Sequence, residues 1–460
     1  MPLLSLISSV ALVTGCDPLP AGYEIPTIEI TRWSEDYRSL AGVSTTLTGL
    51  DRLKWIPLSR ENDIALTVGG SIREQFESYQ NREFGFADGD DDVYLMHRLL
   101  LHADLRLGSQ SRVFVEFGNT LIPGRDARPS PVDKNEFDIT QAFLDLTPSG
   151  DGDRLRLRIG RQELPLGTGR LVALRDGPNN RLTFDAARLT LGDEHWSMDA
   201  FVAAPVDLRP GVIDDRFNDE TAFWGLYGTL PSPVDDHGKI DLYYLGIDRE
   251  DRVFGGASGR ETRHSLGARL LGSNRGFDYN IEAVGQFGLL GGSDIRAWTV
   301  ASDFGFTWEG YPWRPRLGLR ANITSGDRGT DGSTETFDPL FPNNSYFSEA
   351  AILSPSNLID INPSLTLRPS EGLELLAMWD FVWRTSEDDA AYGPPGVRLF
   401  DPADSEGRFL GHSLSLKGTY QFDRNSSLTL AYTHFFAGGA VTSAGGDDVD
   451  YFAMWFEFKF

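Results

Sequence analysis

Apolar and polar side chains alternate with a period of two along most of this chain, most clearly in its last ten residues, YFAMWFEFKF. In an extended strand Phe452, Met454, Phe456, Phe458 and Phe460 share one face, while Tyr451, Ala453, Trp455, Glu457 and Lys459 share the other. A soluble sheet covers such an apolar face with a second layer; a strand in a transmembrane barrel turns it to lipid. The same alternation predicts strands over 64–77, 92–107, 111–119, 137–147, 154–163, 182–192, 196–204, 221–230, 239–248, 261–273, 276–288, 295–309, 314–324, 357–369, 371–383, 411–422, 425–436 and 451–460. No stretch keeps helical spacing for long, and none reaches the roughly 18 apolar residues that a membrane helix requires.

Connection lengths separate a sandwich from a barrel. GSQ, PSGDGD, GDEH, SPVDDHG, GSNR, EGYPW, RPSE and DRNS are short. They alternate with long polar stretches, among them TLIPGRDARPSPVDKNE, PLGTGRLVALRDGPNNR, REDRVFGGASGR, 325–356 and 384–410. Only LLGGSD is short where a long loop is due. Tight periplasmic turns alternating with long extracellular loops are what an outer-membrane barrel produces. The expected fold is all-β: a transmembrane antiparallel β-barrel of about 18 strands, porin-like, over 64–460, with a periplasmic N-terminal segment over 17–63. An even strand number returns both ends to the periplasm. Phe460 then resembles the C-terminal aromatic that outer-membrane proteins present to the barrel assembly machinery, and is the candidate assembly signal.

If the apolar faces meet lipid, the residues between them face the interior. That reading places Arg73, Gln75, Arg98, His102, Asp104, Arg106, Glu116, Gln141, Asp145, Arg154, Arg156, Arg158, Arg188, Arg269, Glu282, Asp303, Arg316 and Arg320 inside. A charge facing lipid near the midplane costs about 2–4 kcal/mol, so the interior is strongly preferred. Arg161 breaks the rule: strict alternation turns it outward unless a bulge at Gly160 re-aims it. Arginine dominates the set, and the chain holds 37 arginines against five lysines. Two readings stay open. The arginines pair with interior acids and fill the barrel, or they form a positive constriction that selects anionic solutes inside an acidic shell.

Net charge is −25, which excludes the basic footprint of a nucleic-acid binder. One cysteine and seven scattered histidines provide neither a disulfide framework nor a metal motif, and no cofactor is expected. No acid and base are placed for catalysis, so the chain is not read as an enzyme. At the N-terminus, the apolar run Leu3–Val13 has the length of a signal-peptide core, which sets 1–16 apart. VTGC resembles a lipoprotein box, making Cys16 a candidate lipidation site; an ordinary signal peptide is the alternative.

Several motifs in order carry a family resemblance. SEDYRSL, DRLKWIPL and LTVGGSIREQFE are followed by LRIGRQELPLGTGRLVALRDGPNNRLTFDAARL and then by TSGDRGTDGSTETFDPLFPNNSYF. Together they resemble the alginate export family of outer-membrane barrels from about residue 34 to the end. The resemblance implies an 18-stranded conduit with an arginine-rich lumen for the polyuronate alginate. It carries over to Arg73, Arg98, Arg158, Arg161, Arg181, Asp185, Arg188 and Arg320 as lumen positions. In LGHSLSLKG, Ser413 and Ser415 stand where the family usually has acids. The function expected is an outer-membrane channel for an anionic polysaccharide or other acidic solute. Its expected partners are that solute, outer-membrane lipid, the barrel assembly machinery and periplasmic export components. A plugged adhesive barrel displaying acidic loops, or a general-diffusion porin without anion preference, is the alternative.

Overall fold

The computed structural model describes residues 24–460 apart from 62, 88–90, 126–129, 149–154, 194, 234, 236, 330–331 and 344. The expectations for the signal peptide, Cys16 and Arg154 lie outside the described residues. Eighteen antiparallel strands follow one another around a closed sheet. They are β1 (Ile64–Gln80), β2 (Asp92–Leu107), β3 (Ser111–Leu121), β4 (Asn135–Leu146), β5 (Leu155–Gln162), β6 (Phe184–Gly192), β7 (Ser197–Asp207), β8 (Thr221–Pro231) and β9 (Lys239–Phe254). The circuit continues through β10 (Ala257–Asn274), β11 (Phe277–Leu290), β12 (Ser293–Thr307), β13 (Arg316–Thr324), β14 (Leu358–Ser370), β15 (Leu373–Arg384), β16 (Phe409–Gln421), β17 (Ser426–Ala437) and β18 (Val449–Lys459). The barrel closes where β18 pairs with β1, from Ser71 opposite Lys459 to Gln80 opposite Asp450.

Each predicted strand is present, because lipid on one side and a polar interior on the other impose the period-two pattern locally. On β18, Phe452 and Met454 are 40% and 42% exposed, while Tyr451 and Ala453 are buried. Leu101, Leu226, Leu266, Trp298, Trp379 and Leu416 continue the outward apolar belt. One connection differs from expectation. REDRVFGGASGR is not a long loop: β9 and β10 extend through it to a two-residue turn at Gly255 and Gly256. Both glycines have positive φ (57° and 79°), as hairpin turns of this twist require. Both faces of that hairpin carry charged or polar residues, so no apolar period marked it as strand.

The long loops fold inward. Leu164, Leu166, Leu171 and Val172, in the segment joining β5 to β6, are buried against Phe201, Phe223 and Tyr243 of the inner wall. This segment pairs with the one joining β13 to β14: Ala173 N donates to Phe341 O (2.9 Å) and Phe341 N to Leu171 O (2.8 Å). Ala390, Ala391, Tyr392, Leu399 and Phe400, from the segment expected to be displayed as an acidic loop, are buried too.

The N-terminal segment is also seated in the barrel. Tyr37, Leu40, Val43, Leu47 and Trp55 form a buried cluster with Ala65 of β1. Arg32 holds it at the closing seam: Nη1 donates to Gly70 O (2.8 Å) and Nη2 to Phe460 O (2.7 Å). Phe460 itself exchanges two 3.0 Å backbone hydrogen bonds with Gly70. The stretch from Arg32 to Trp55 is therefore packed against the closing seam and β1.

Candidate functional site

β5 is short, and at Glu163 the chain turns from the wall into the interior. The inserted segment brings Asp176 to two inward arginines of β1 and β2 and to Arg181. Arg98 Nη2 donates to Asp176 Oδ1 (2.8 Å), Arg181 Nε donates to the same oxygen (2.7 Å), and Arg73 Nη1 lies 3.8 Å from Oδ2. Arg73 also donates to the carbonyls of Asp176 (2.7 Å) and Gly177 (3.0 Å). Arg181 reaches Glu163 Oε1 (3.3 Å) and the carbonyl of Ile30 (3.1 Å). Three guanidinium groups thus share two carboxylates. Burial alone would push the Asp176 carboxyl up, but Arg181, Arg98 and Arg73 outweigh it and hold it well below the usual range. Its side chain keeps 38% of its surface accessible, whereas Arg73 and Arg98 are buried beneath it.

Most other candidate arginines are matched one to one with acids. Arg158 donates to both oxygens of Asp145 (2.6 and 2.8 Å), and Arg188 likewise to Asp199 (2.9 and 2.7 Å). Arg269 Nε donates to Asp241 Oδ2 (2.7 Å). Arg320 bonds the carbonyl of Tyr346, stacks on its ring and lies 3.7 Å from Asp303. Such pairs fill the interior while adding no net charge. Arg106 and Arg156 differ. Arg106 donates to the carbonyl of Glu35 (3.1 Å) and has carboxylates no nearer than 3.7 Å. Arg156 makes no hydrogen bond or ion pair among the described residues.

Arg161 and Asp185 are corrections. Pairing of β5 with β6 runs unbroken from Leu155 to Gln162, so no bulge re-aims Arg161, which faces away from Arg158. Asp185 sits opposite it on that outward face and accepts from its Nε (3.0 Å). Neither lines the interior. Gly160 supplies curvature instead, with φ +127° and a position where a Cβ would lie 2.2 Å from Ala142 O. Gly160→Ala should cost about 1–3 kcal/mol of barrel stability. That would lower the temperature at which the fast-migrating folded form disappears on heat-modifiability gels; an unchanged transition would refute the strain.

Among the described residues, one group of three acids could hold a metal: Asp138, Asp214 and Asp215. Asp138 Oδ2 already accepts from the backbone N–H of Asp214 (2.8 Å) and Asp215 (3.0 Å), and Oδ1 from Ile139 (2.7 Å). That group ties a loop to β4.

With this geometry in view, comparison with known proteins is decisive. The family model for alginate export matches residues 64–454, nearly the whole barrel. The chain belongs to the alginate export family. No curated protein sequence matches it. Solved barrels share the fold. A BenF-like porin from Pseudomonas fluorescens Pf-5 is similar at 10% identity and TM-score 0.59, covering 86% of this chain and 99% of its own. The outer membrane protein OpdK from Pseudomonas aeruginosa is similar at 12% identity and TM-score 0.58, covering 86% and 98%. Membership of this family and the porin-like barrel make the protein a channel of the bacterial outer membrane.

The family match begins at β1, so the N-terminal segment with Trp33 and Arg32 stands outside it. The family motif LVALRDGPNN contains Asp176, which alternation could not find because it lies on no strand. The apolar run Leu171–Leu174 inside a supposed loop was the available signal, since apolar side chains in a loop imply that the loop is covered. Ser413 and Ser415 are buried on β16, Ser415 Oγ lying 2.9 Å from Thr433 Oγ1.

Proposed function

We propose that this channel passes carboxylate-bearing solutes, with uronic-acid chains of the alginate kind as the preferred cargo. The observation that carries the reading is Asp176: an accessible carboxylate held in the interior by three guanidinium groups. A site that binds the protein's own carboxylate is chemically suited to bind that of a passing solute, through charge-assisted and bidentate hydrogen bonds. The family description, alginate export, and a solved OpdK structure with vanillate, an aromatic carboxylate, agree with that chemistry. The paired arginines Arg158, Arg188 and Arg269 add no net charge to the rest of the path.

Planar bilayers test it. The purified channel should show an anion-selective reversal potential in a salt gradient, and uronic-acid trimers should block the current at concentrations where a neutral trisaccharide does not. Cation selectivity, or equal block by the neutral sugar, would refute the proposal. The inward-folded segments favour a narrow path over unselective diffusion.

A further inference from the structure

At the periplasmic end, a cavity of about 330 Å3 lies between the N-terminal segment and the inner faces of β2 to β5. That is within the roughly 300–1,000 Å3 of small-molecule sites. Trp33, Arg38, Arg106, Arg112 and Arg156 are on its walls, beside Glu35, Asp36 and Asp145. Each of the surrounding acids has an arginine of its own: Glu35 with Arg32 (2.8 Å), Asp36 with Arg38 (2.6 Å), Asp104 with Arg112 (2.7 Å) and Asp145 with Arg158 (2.6 Å). Arg106 lies 3.7 Å from Asp104 and 3.8 Å from Asp36, both of which are held more tightly by other arginines, and Arg156 has no ion pair among the described residues.

Trp33 completes the enclosure. Its Nε1 donates to Glu163 Oε2 (2.8 Å), and Arg158 lies over its ring at 4.4 Å, so the indole is fixed in place. A rigid aromatic wall beside a surplus of guanidinium groups suits a sugar ring bearing a carboxylate: the ring's C–H face packs on the indole while the carboxylate meets the cations.

We infer that this cavity is a loading site at the periplasmic mouth, binding one uronate unit through Arg106 and Arg156 with Trp33 as its wall. The inference rests on the carboxylate-channel reading and adds to it a location and a side. Trp33, Glu35, Asp36 and Arg38 come from a segment outside the family match.

The test is block of oriented single channels by a uronic-acid trimer added from one side at a time. Arg106→Ser/Arg156→Ser should raise the blocking concentration about tenfold from the periplasmic side and less than about twofold from the extracellular side. Trp33→Ala should weaken periplasmic block about threefold and extracellular block less than about twofold, as loss of a wall on one side requires. Arg156→Ser alone orphans no described partner, so it keeps the test sound if the double variant assembles poorly; about a threefold rise is expected. Wild-type channels that are anion-selective and blocked, with variants that change block equally from both sides or not at all, would overturn the loading site alone. A wild type blocked from neither side would overturn both it and the carboxylate-channel reading.

Discussion

Asp176→Asn should raise the anion-to-cation permeability ratio about threefold, an increase in anion preference produced by removing a single acid. The three surrounding arginines hold this carboxyl ionised far into the acid range, so the substitution removes a whole negative charge at any working pH. At roughly 6 Å in water that charge contributes about 0.7 kcal/mol to each passing monovalent ion, a factor of about three, with opposite signs for anions and cations. The opposite signs combine to a factor of about ten, which salt screening over a Debye length of about 8 Å at physiological ionic strength reduces to about threefold. Arg73→Ser/Arg98→Ser should act in the opposite direction. It should also raise conductance, because both side chains tether the backbone at 176–177. Reversal potentials in a tenfold salt gradient provide the measurement. A change of the same sign in the two variants would rule out electrostatic control at this cluster.

The second large effect is on stability. Arg158 lies almost wholly buried, bonded twice to Asp145 and stacked on Phe143 at 3.8 Å from its ring centre. Removing one member of a buried ion pair strands the other, at about 3–5 kcal/mol. Arg158→Ser should therefore lower the heat-modifiability transition far more than Gly160→Ala does. Arg112 Nη1, 3.6 Å from Asp145, offers only partial rescue. Arg158→Ser leaves the Asp145 charge unbalanced, so the folded fraction should shift slightly toward cations, and a neutral double variant should not. The double variant Arg158→Ser/Asp145→Asn should recover part of the lost stability, since no buried charge is then left alone. A selectivity change as large as that of Asp176→Asn would instead make Arg158 part of the solute path.

These contrasts divide residues that looked alike in the sequence. Alternation assigns Arg73, Arg98, Arg106, Arg156, Arg158, Arg188, Arg269 and Arg320 all to one inward register. It has no means of distinguishing a neutralised arginine from an unpaired one. Arg158 and Arg188 meet their acids across neighbouring strands, in pairings set by the register of the sheet. Arg73 and Arg98 meet theirs 103 and 78 positions away, on a segment with no period of its own. The outward placement of Arg161 followed from strict alternation; the bulge invoked to bring it inside is absent.

What the amino-acid order determined by itself is the barrel: the number and place of its strands, the face each turns to lipid, and the short turns between them. Lipid imposes that pattern residue by residue, because a lipid-facing backbone must be paired and a lipid-facing side chain must be apolar. Only the tertiary structure decided what fills the interior. Inside, water and paired charges tolerate many arrangements, and no local period records which one is adopted. The inward folding of the 163–183 segment, the seating of the N-terminal segment against β1, and the sharing of acids among the arginines depend on contacts between residues far apart in the chain. Asp176 held by three guanidinium groups, and Arg106 with Arg156 beside Trp33, exist only once the barrel has closed around them.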